Sequence, residues 1–255
     1  MLRIGVVIVT LLVAYVGFTS YTNSSAMNTM IEKGTEIVKT DHELEEIDIG
    51  EFKTVMVYKI LPFNSKVYKV DTLGIVSIMT MNVGIMEMFT FNINPYYKDL
   101  PQLTIDYTIT FNTRKLYVEI YDFMINKDTQ ECKDFLTLIE ELNTKYSDLE
   151  DFNSKEAWYS KYLLGLIKKS GSVMQDEKLL NLFTEVINYY IEYAKKAEEL
   201  NQENVKKKVE LTKAFADQLV ENGGIAIDNF KKTLGDEKTK EFLGNVLYGY
   251  HHIEV

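Results

Sequence analysis

The chain has 255 residues, 28 of them basic and 38 acidic, which gives a formal net charge of −10 and an isoelectric point near 5.0. Its length is sufficient for one domain with a full hydrophobic core. The single cysteine, Cys132, excludes an internal disulfide framework, thiolate zinc sites and cysteine-ligated iron–sulfur clusters, because each of these needs at least two cysteines. The acidic balance, with no basic run longer than residues 206–208, argues against nucleic acid as a partner.

The first residues form an apolar segment that differs from the rest of the chain. An uncharged run extends from Ile4 to Phe18 after a single Arg3, and Ser24 and Ala26 stand at the −3 and −1 positions of a possible cleavage site. We expect residues 1–26 to be a secretory or targeting signal, or a short membrane anchor; a buried helix or strand is the alternative. Residues 27–48 are expected to be an acidic, polar lead-in, and residues 49–255 a single domain.

The first part of that domain has the composition of antiparallel strands. Residues 52–123 are rich in Val, Ile, Tyr, Phe and Thr and are interrupted by short polar patches. The clearest hairpin joins residues 103–111 to residues 115–123 around the turn 112–114. In its second arm Leu116, Val118 and Ile120 alternate with Tyr117, Glu119 and Tyr121, so the arm has two distinct faces.

The period of the apolar residues changes in the second part. Between Leu182 and Ala197 they recur at helical spacing, which predicts a long amphipathic helix. Residues 205–234 predict a second helical stretch that is interrupted at Gly223-Gly224, and a last helix follows Gly235. Strands followed by helices predict an α+β fold in which helices cover an antiparallel sheet.

Most sequence motifs of enzyme chemistry are absent. There is no GxGxxG, no GxxxxGK[ST] and no GxSxG, so dinucleotide, P-loop and serine-hydrolase sites are not supported. His42, His251 and His252 lie near the two ends of the chain, and we predict no metal site. The lysine pairs and runs of the helical part are interpreted as solvated helix faces, with the docking of an acidic protein as the alternative.

Asp106 stands out because it lies in the middle of a strand. Asp is depleted in strands and is costly to bury. Two interpretations are open: the carboxyl faces solvent on an exposed face of the sheet, or it faces a pocket between sheet and helices. In the pocket, desolvation would raise its pKa and allow it to donate a proton near neutral pH.

Three stretches together resemble the ferredoxin-dependent bilin reductases, a family related to red chlorophyll catabolite reductase. In NPYYKDLPQLTIDYTITFNTRKLYVEIYDF a Leu-Pro precedes Asp106 by five residues and the return strand ends in Asp122, which are the places of two family aspartates. The stretch WYSKYLLGLIKKS is similar to a family strand, and FKKTLGDEKTKEFLGNVLYG to the family's last segment. The resemblance covers about residues 52–250 in order.

The resemblance implies a three-layer α/β/α sandwich with a central antiparallel sheet flanked by helices. It implies that a linear tetrapyrrole such as biliverdin binds between the sheet and the C-terminal helices. No cofactor would be bound. Reduced ferredoxin would supply single electrons, and pocket carboxyls would supply protons, with Asp106 as the donor. Such an enzyme would work in a plastid-like organelle or on the secretory route, or be membrane-anchored through residues 1–26.

Further site residues follow from the same resemblance. Lys168 takes the place of an Arg that pairs with a propionate, and Phe89 takes the place of a catalytic His, with Glu87 on the same face two residues earlier. A family Glu falls at Ser77 or Leu73. A family Asp of the helical segment falls at Gly223 or Gly224, so Asp228 is the nearest acid and Asn222 a neighbouring contact.

Two functions remain open, besides an unrelated α+β protein. The first is ferredoxin-dependent reduction of a bilin with Asp106 as proton donor, assisted by Asp228 or Glu87. The second is a protein of the same fold that binds a tetrapyrrole or another apolar ligand without reducing it, which the missing His and Glu would favour.

Overall fold

The structure is a computed structural model that describes residues 2–154 and 156–255, without the side chains of residues 2–19 and 225. The apolar run at residues 4–18 therefore lies outside the described side chains, and its role as a signal or anchor remains a prediction. Among the described residues, no helix is both long and apolar enough to cross a membrane.

The described chain contains a nine-stranded antiparallel sheet and six α-helices. The helices are α1 (Leu2–Asp41), α2 (Gln130–Lys145), α3 (Asp176–Lys196), α4 (Gln202–Asn222), α5 (Ile225–Leu234) and α6 (Asp236–Phe242), the last followed by a π-helical turn (Leu243–Leu247). The strands are β1 (Leu44–Ile47), β2 (Thr54–Val57), β3 (Leu61–Val70), β4 (Gly74–Asn82), β5 (Met86–Asn94), β6 (Gln102–Thr110), β7 (Thr113–Tyr121), β8 (Glu150–Asp151) and β9 (Leu163–Gly171). Short 3-10 turns link several of them.

The sheet is a meander for most of its width. The strand order is β1-β3-β4-β5-β6-β7-β9-β8, and β2 pairs with β3 beside β1. The predicted β6–β7 hairpin is present, but its turn is Phe111-Asn112 rather than residues 112–114, and Asp106 therefore lies opposite Tyr117. The predicted helices are also present, and α4 ends and α5 begins at the predicted Gly223-Gly224 interruption.

Helices cover both faces of the sheet, so the predicted α+β sandwich is confirmed. We define the first face as the one that carries Phe91, Ile105 and Val118, which pack against α1, α2 and α3. We define the second face as the one that carries Met79 and Tyr121, which pack with residues of α4 to α6 and the π-helical turn. Because side chains alternate along a strand, every residue of β6 and β7 belongs to one face or the other.

The predicted boundary at residues 48 and 49 does not coincide with a boundary in the packing. Met27, Met30 and Val38 of α1 are buried in the first-face core. Residues 44–47 pair with β3 as strand β1. The stretch described as a polar lead-in is therefore integrated into the fold, because its apolar residues recur at helical spacing between the charged ones.

Helix α1 is anchored to the sheet by buried polar groups as well. Arg114 is 1% exposed and donates to Asp176 of α3 and to Asn23 of α1. Ser24 donates to the carboxylate of Glu87, which is fully buried. A cleavage after Ala26 would cut this helix and remove both Asn23 and Ser24.

Candidate functional site

A strip of half-exposed polar side chains lies on the second face, on β6, β7 and β9. In the sheet register, Thr90 and Tyr117 flank Asp106, and Lys168 follows Tyr117 on the next strand. Neighbouring strands lie about 4.8 Å apart. We define the polar strip as the half-exposed second-face residues of these three strands that are polar: Thr104, Asp106, Thr108, Lys115, Tyr117, Glu119 and Lys168.

Asp106 is held in place by the neighbouring strand. The hydroxyl of Thr90 donates to its Oδ1 at 2.5 Å. Burial raises the pKa of the Asp106 carboxyl, and the hydrogen bond from Thr90 opposes that shift because it favours the charged form. The residue is half-buried on the second face, with Thr90 and Tyr117 on the strands to either side.

Glu119 is a second carboxyl on the same face. It lies opposite Thr104 on β6, diagonally across from Asp106. The hydroxyl of Tyr121 donates to its Oε2 at 2.7 Å. Burial and the nearby Asp106 carboxyl raise the pKa of Glu119 to about 7. The two carboxyls therefore do not both ionise readily, and the pair can hold a proton near neutral pH.

Aromatic side chains border the strip. The rings of Tyr117 and Phe152 meet edge to face with centroids 4.7 Å apart. Tyr159 and Tyr248 lie within the electrostatic influence of Glu119, and burial raises the pKa of both phenols. Phe215 of α4 packs against both of these tyrosines. The border is thus apolar with hydroxyl groups at its edge, which suits a flat conjugated ligand with polar substituents.

Two cations lie at one end of the strip. Lys168 and Lys115 are diagonal neighbours on β9 and β7, because Tyr117 pairs with Lys168 and Lys115 pairs with Ser170. The Lys115 ammonium lies 5.0 Å from the centroid of the Phe152 ring. Among the described residues, neither lysine forms an ion pair with a carboxylate. Both are available to an anionic group of a ligand.

The π-helical turn is fixed beside the strip by one carbonyl. The Leu247 carbonyl accepts hydrogen bonds from Ser77, Asn92 and Asn94 at 2.9, 3.1 and 3.3 Å. These three polar residues are buried on the second face of β4 and β5. Their bonds satisfy a helix-end carbonyl that would otherwise be buried without a donor. Ser77, one of the two places of the family Glu, thus has a positioning role here.

Phe89 and Glu87, which the resemblance gave as site residues, share a face with each other but not with Asp106. Phe89 pairs with Tyr107, and its ring packs against Tyr107 and Phe183, each at 5.6 Å between centroids. Both residues therefore lie on the first face, under α1 and α3. Because side chains alternate along a strand, residues 87 and 89 share one face of β5 and residue 90 lies on the other. Thr90 is the residue that actually adjoins Asp106.

The remaining predicted residues are not part of the polar strip. Asn222 and Asp228 are exposed at the corner between α4 and α5, and Asn222 donates only to the Gln218 carbonyl of its own helix. Asp122 follows β7 and pairs with Lys127 at 2.6 Å. Of the predicted site residues, the structure brings together Asp106 and Lys168.

Sequence reasoning missed Glu119 as a site residue, because the predicted hairpin turn was displaced from the observed one. The hairpin turn puts Asp106 opposite Tyr117, and the alternation of β7 puts Glu119 on the same face as Tyr117. Counted back from the predicted turn at residues 112–114, Asp106 would lie opposite Ile120, so only the observed turn at residues 111–112 places the two carboxyls on one face.

An open cleft elsewhere does not contain these residues. It lies on the first face between α1 and β3, with Ile31, Thr35 and Tyr68 in its lining. No group of three or more His, Cys, Asp and Glu side chains suited to a metal ion occurs in the described part of the chain.

The fold is similar to that of a known tetrapyrrole-binding enzyme. The crystal structure of phytochromobilin synthase from tomato in complex with biliverdin superposes with a TM-score of 0.71 and covers 88% of this chain and 83% of that one. The sequences are 12% identical, so the likeness is one of fold. No family model matches the chain, and no curated protein matches its sequence.

Proposed function

We propose that the chain binds a linear tetrapyrrole of the biliverdin type against the polar strip and reduces one of its double bonds with electrons from reduced ferredoxin. The observation that carries this proposal is the half-buried carboxyl pair of Asp106 and Glu119 on the second face. The similar fold of a biliverdin-complexed protein supports it.

The strip has the groups that such a reduction needs. Saturating one carbon–carbon double bond adds two electrons and two protons to the ligand. Ferredoxin delivers electrons one at a time, so each is matched by a proton from the protein. Asp106 is the proposed donor, and Glu119 is the neighbouring carboxyl that holds the next proton. Lys168 and Lys115 bind the ligand's propionate carboxylates, while Tyr117, Phe152 and Tyr159 contact its rings.

A second candidate function is tetrapyrrole binding without reduction. The observation that favours it is the absence of histidine from the strip in the described structure. His42 lies close to Asp71, His251 lies against Gly244, and His252 contacts the Asn245 carbonyl. A carrier would use the same lysines and aromatic residues but would not need a proton on Glu119.

An anaerobic absorption titration separates the two functions. The full chain is titrated with biliverdin, and reduced ferredoxin is then added with a system that regenerates it. A bound spectrum that shifts to shorter wavelength on addition of ferredoxin supports the reductase. Binding without that shift supports the carrier, and no binding contradicts both.

Substitution of the proposed donor gives the sharper test. Asp106→Asn should retain biliverdin binding within a few-fold but lower turnover by about 100-fold or more, since it removes a positioned proton donor. Asp122→Asn is the matched control, because Asp122 lies outside the strip and pairs with Lys127. Turnover in Asp106→Asn equal to that of the unsubstituted chain would remove Asp106 from the mechanism.

A further inference from the structure

Four turns lie together at one end of the sheet. They are residues 58–60 between β2 and β3, 83–85 between β4 and β5, 111–112 between β6 and β7, and 172–175 after β9. The antiparallel registers place all four at the same end, and hydrogen bonds join neighbouring turns: Phe111 donates to the Ile85 carbonyl, and Val173 donates to the Asn112 side chain. We call this surface the turn end.

Exposed apolar side chains are concentrated at the turn end. Of the fourteen large apolar side chains that are exposed among the described residues, six lie in these four turns, and three more lie near them on β2, β5 and α1. Ile60 is 70% exposed, Phe111 52% and Met174 85%. The other six are Tyr21, Met56, Tyr58, Val83, Met86 and Val173. Apolar side chains scattered singly over a surface need no explanation, but a concentration of this kind marks an interaction surface.

The charge of the turn end differs from that of the whole chain. The four turns contain no Asp or Glu and one cation, Lys59, although the chain has 38 acidic residues. The loops at the opposite end of the sheet contain several acids, including Asp71, Asp128 and Glu198. The molecule therefore has one apolar, acid-free set of turns and one acidic end.

The amino-terminal helix reaches the sheet at this same end. Asn23 of α1 donates to the Phe111 carbonyl, and the Ser20 hydroxyl lies near Gly84. The uncharged sequence from Ile4 to Phe18 immediately precedes these residues. The most apolar segment of the chain is thus continuous with the exposed apolar turns.

The backbone of two of these turns has an unusual conformation. Tyr58 and Phe111 have positive φ angles of 53°. Such conformations favour Gly, Asn or Asp, and an aromatic residue there is unfavourable. Phe111 thus keeps a large, 52% exposed aromatic side chain where the backbone prefers a small polar one, whereas the Tyr58 hydroxyl donates to Asn229 of α5 at 2.6 Å.

We propose that the turn end is a docking surface for a lipid bilayer, with the apolar side chains of the turns inserted at the level of the headgroups. A bilayer fits the observations because it accepts aromatic and aliphatic tips together, because anionic headgroups repel acids, and because Lys59 can reach a phosphate. The surface is separate from the polar strip, and this inference does not depend on the proposed function.

Fluorescence quenching by brominated lipid tests the position of the turns directly. The full chain is bound to phosphatidylcholine vesicles that contain brominated acyl chains, with tryptophan introduced as Phe111→Trp. Leu211→Trp is the matched control, since Leu211 is an equally exposed apolar residue on α4. The native Trp158 signal is subtracted using the unsubstituted chain. We expect quenching at position 111 and none at position 211.

Vesicle flotation gives an independent readout. The triple substitution Ile60→Ser, Phe111→Ser, Met174→Ser should weaken vesicle binding about tenfold or more, because three large apolar side chains no longer leave water. Leu211→Ser with Tyr189→Ser should leave binding unchanged. Equal quenching at positions 111 and 211 would overturn the proposal, as would vesicle binding that the triple substitution does not alter. A lipid-free dimer that the triple substitution abolishes would assign the surface to a second copy instead.

Discussion

The carboxyls of Asp106 and Glu119 in the polar strip are partly buried and partly accessible to water. Asp106 has one hydroxyl donor, Thr90, and Glu119 has one, Tyr121. Each carboxyl lacks the several donors that would fix a carboxylate in its charged form. Because the Asp106 and Glu119 carboxyls lie close together, ionisation of one makes ionisation of the other less favourable. The ability of the strip to hold a proton near neutral pH therefore comes from the partial burial of two ordinary carboxyls.

Glu119→Gln should change how stability depends on pH. The folded state binds the Glu119 proton more tightly than the unfolded state, so this contribution to stability is complete below about pH 4 and is lost as pH rises through about 7. Between pH 5 and pH 8 the free energy of unfolding of the unsubstituted chain should fall by on the order of 2 kcal/mol relative to that of the Gln variant. Urea unfolding at the two pH values measures the difference.

Asp106→Asn provides the companion variant for this measurement. It removes the negative charge that helps to raise the pKa of Glu119. The pH at which stability is lost should therefore move to a lower value. An unchanged midpoint in this variant would show that the two carboxyls do not interact.

Ser24 and Ser25 offer a matched pair on adjacent positions of α1. Ser24 donates to the buried Glu87 at 2.8 Å and accepts from Asn82, whereas the side chain of Ser25 is exposed. Ser24→Ala should lower the free energy of unfolding by about 1–3 kcal/mol, because Glu87 loses its donor. Ser25→Ala should have an effect within about 0.5 kcal/mol. Chemical denaturation of both variants tests this.

The loss of stability caused by Ser24→Ala should depend on pH. Burial raises the pKa of Glu87, and the hydrogen bond from Ser24 opposes that shift. The bond therefore stabilises the charged carboxylate, so Ser24→Ala should cost more at pH 8 than at pH 5. A larger cost at pH 5 would contradict this account.

At the scale of elements, α4 is joined to the loop before β6 by one buried amine. Lys208 is 1% exposed, and its ammonium donates to the carbonyls of Lys98 and Leu100 at 2.6 and 2.7 Å. Burial lowers its pKa to about 7. The long side chain thus satisfies two loop carbonyls that the helix would otherwise cover.

Lys208→Met should destabilise the fold, and Lys207→Met is the matched control. The Met variant keeps the stem but leaves two carbonyls without a donor, at a cost of about 1–3 kcal/mol near pH 8. Lys207→Met removes an exposed pair with Glu203 and should cost less than about 1 kcal/mol. Since the unfolded chain holds the Lys208 proton more tightly, the stabilising effect of Lys208 should grow as pH rises from 7 to 9. Thermal unfolding at both pH values measures it.

The elements themselves were largely predictable, and the exceptions have a physical cause. Alternation predicted the two strands of the β6–β7 hairpin but not its two-residue turn, and helical spacing together with Gly223-Gly224 predicted α3 to α5. The integration of α1 was not predictable, because its charged residues concealed the spacing of Met27, Met30 and Val38. The faces of Phe89 and Glu87 could not be read from an alignment, since a displacement of one residue reverses a strand.

At the scale of the whole molecule, the protection of backbone amides from hydrogen exchange should follow the order of the strands in the sheet. Strands β4 to β7 are paired on both sides and covered on the first face by α1, α2 and α3, whereas β1, β2 and β8 are short strands at the edges. Native-state hydrogen exchange should therefore be slowest in β5 and β6 and fastest in β2 and β8. The opposite order would mean that the sheet opens from its centre.

The placement of the site follows from the whole fold rather than from any local motif. Asp106, Glu119 and Lys168 come from three strands, and the aromatic border comes from the segment before β9 and from α4. Sequence patterns indicated Asp106 alone, and the resemblance added Lys168. The carboxyl pairing became visible only when the register joined the strands.

The order of the elements along the chain has a consequence for synthesis. Every strand lies within residues 44–171, whereas the helices that cover the second face lie within residues 202–247. A nascent chain can therefore complete the sheet and its first face while Ser77, Asn92 and Asn94 still lack the Leu247 carbonyl. Translation leaves the second face uncovered until late, so this face is the one at which a chaperone would meet the unfinished protein.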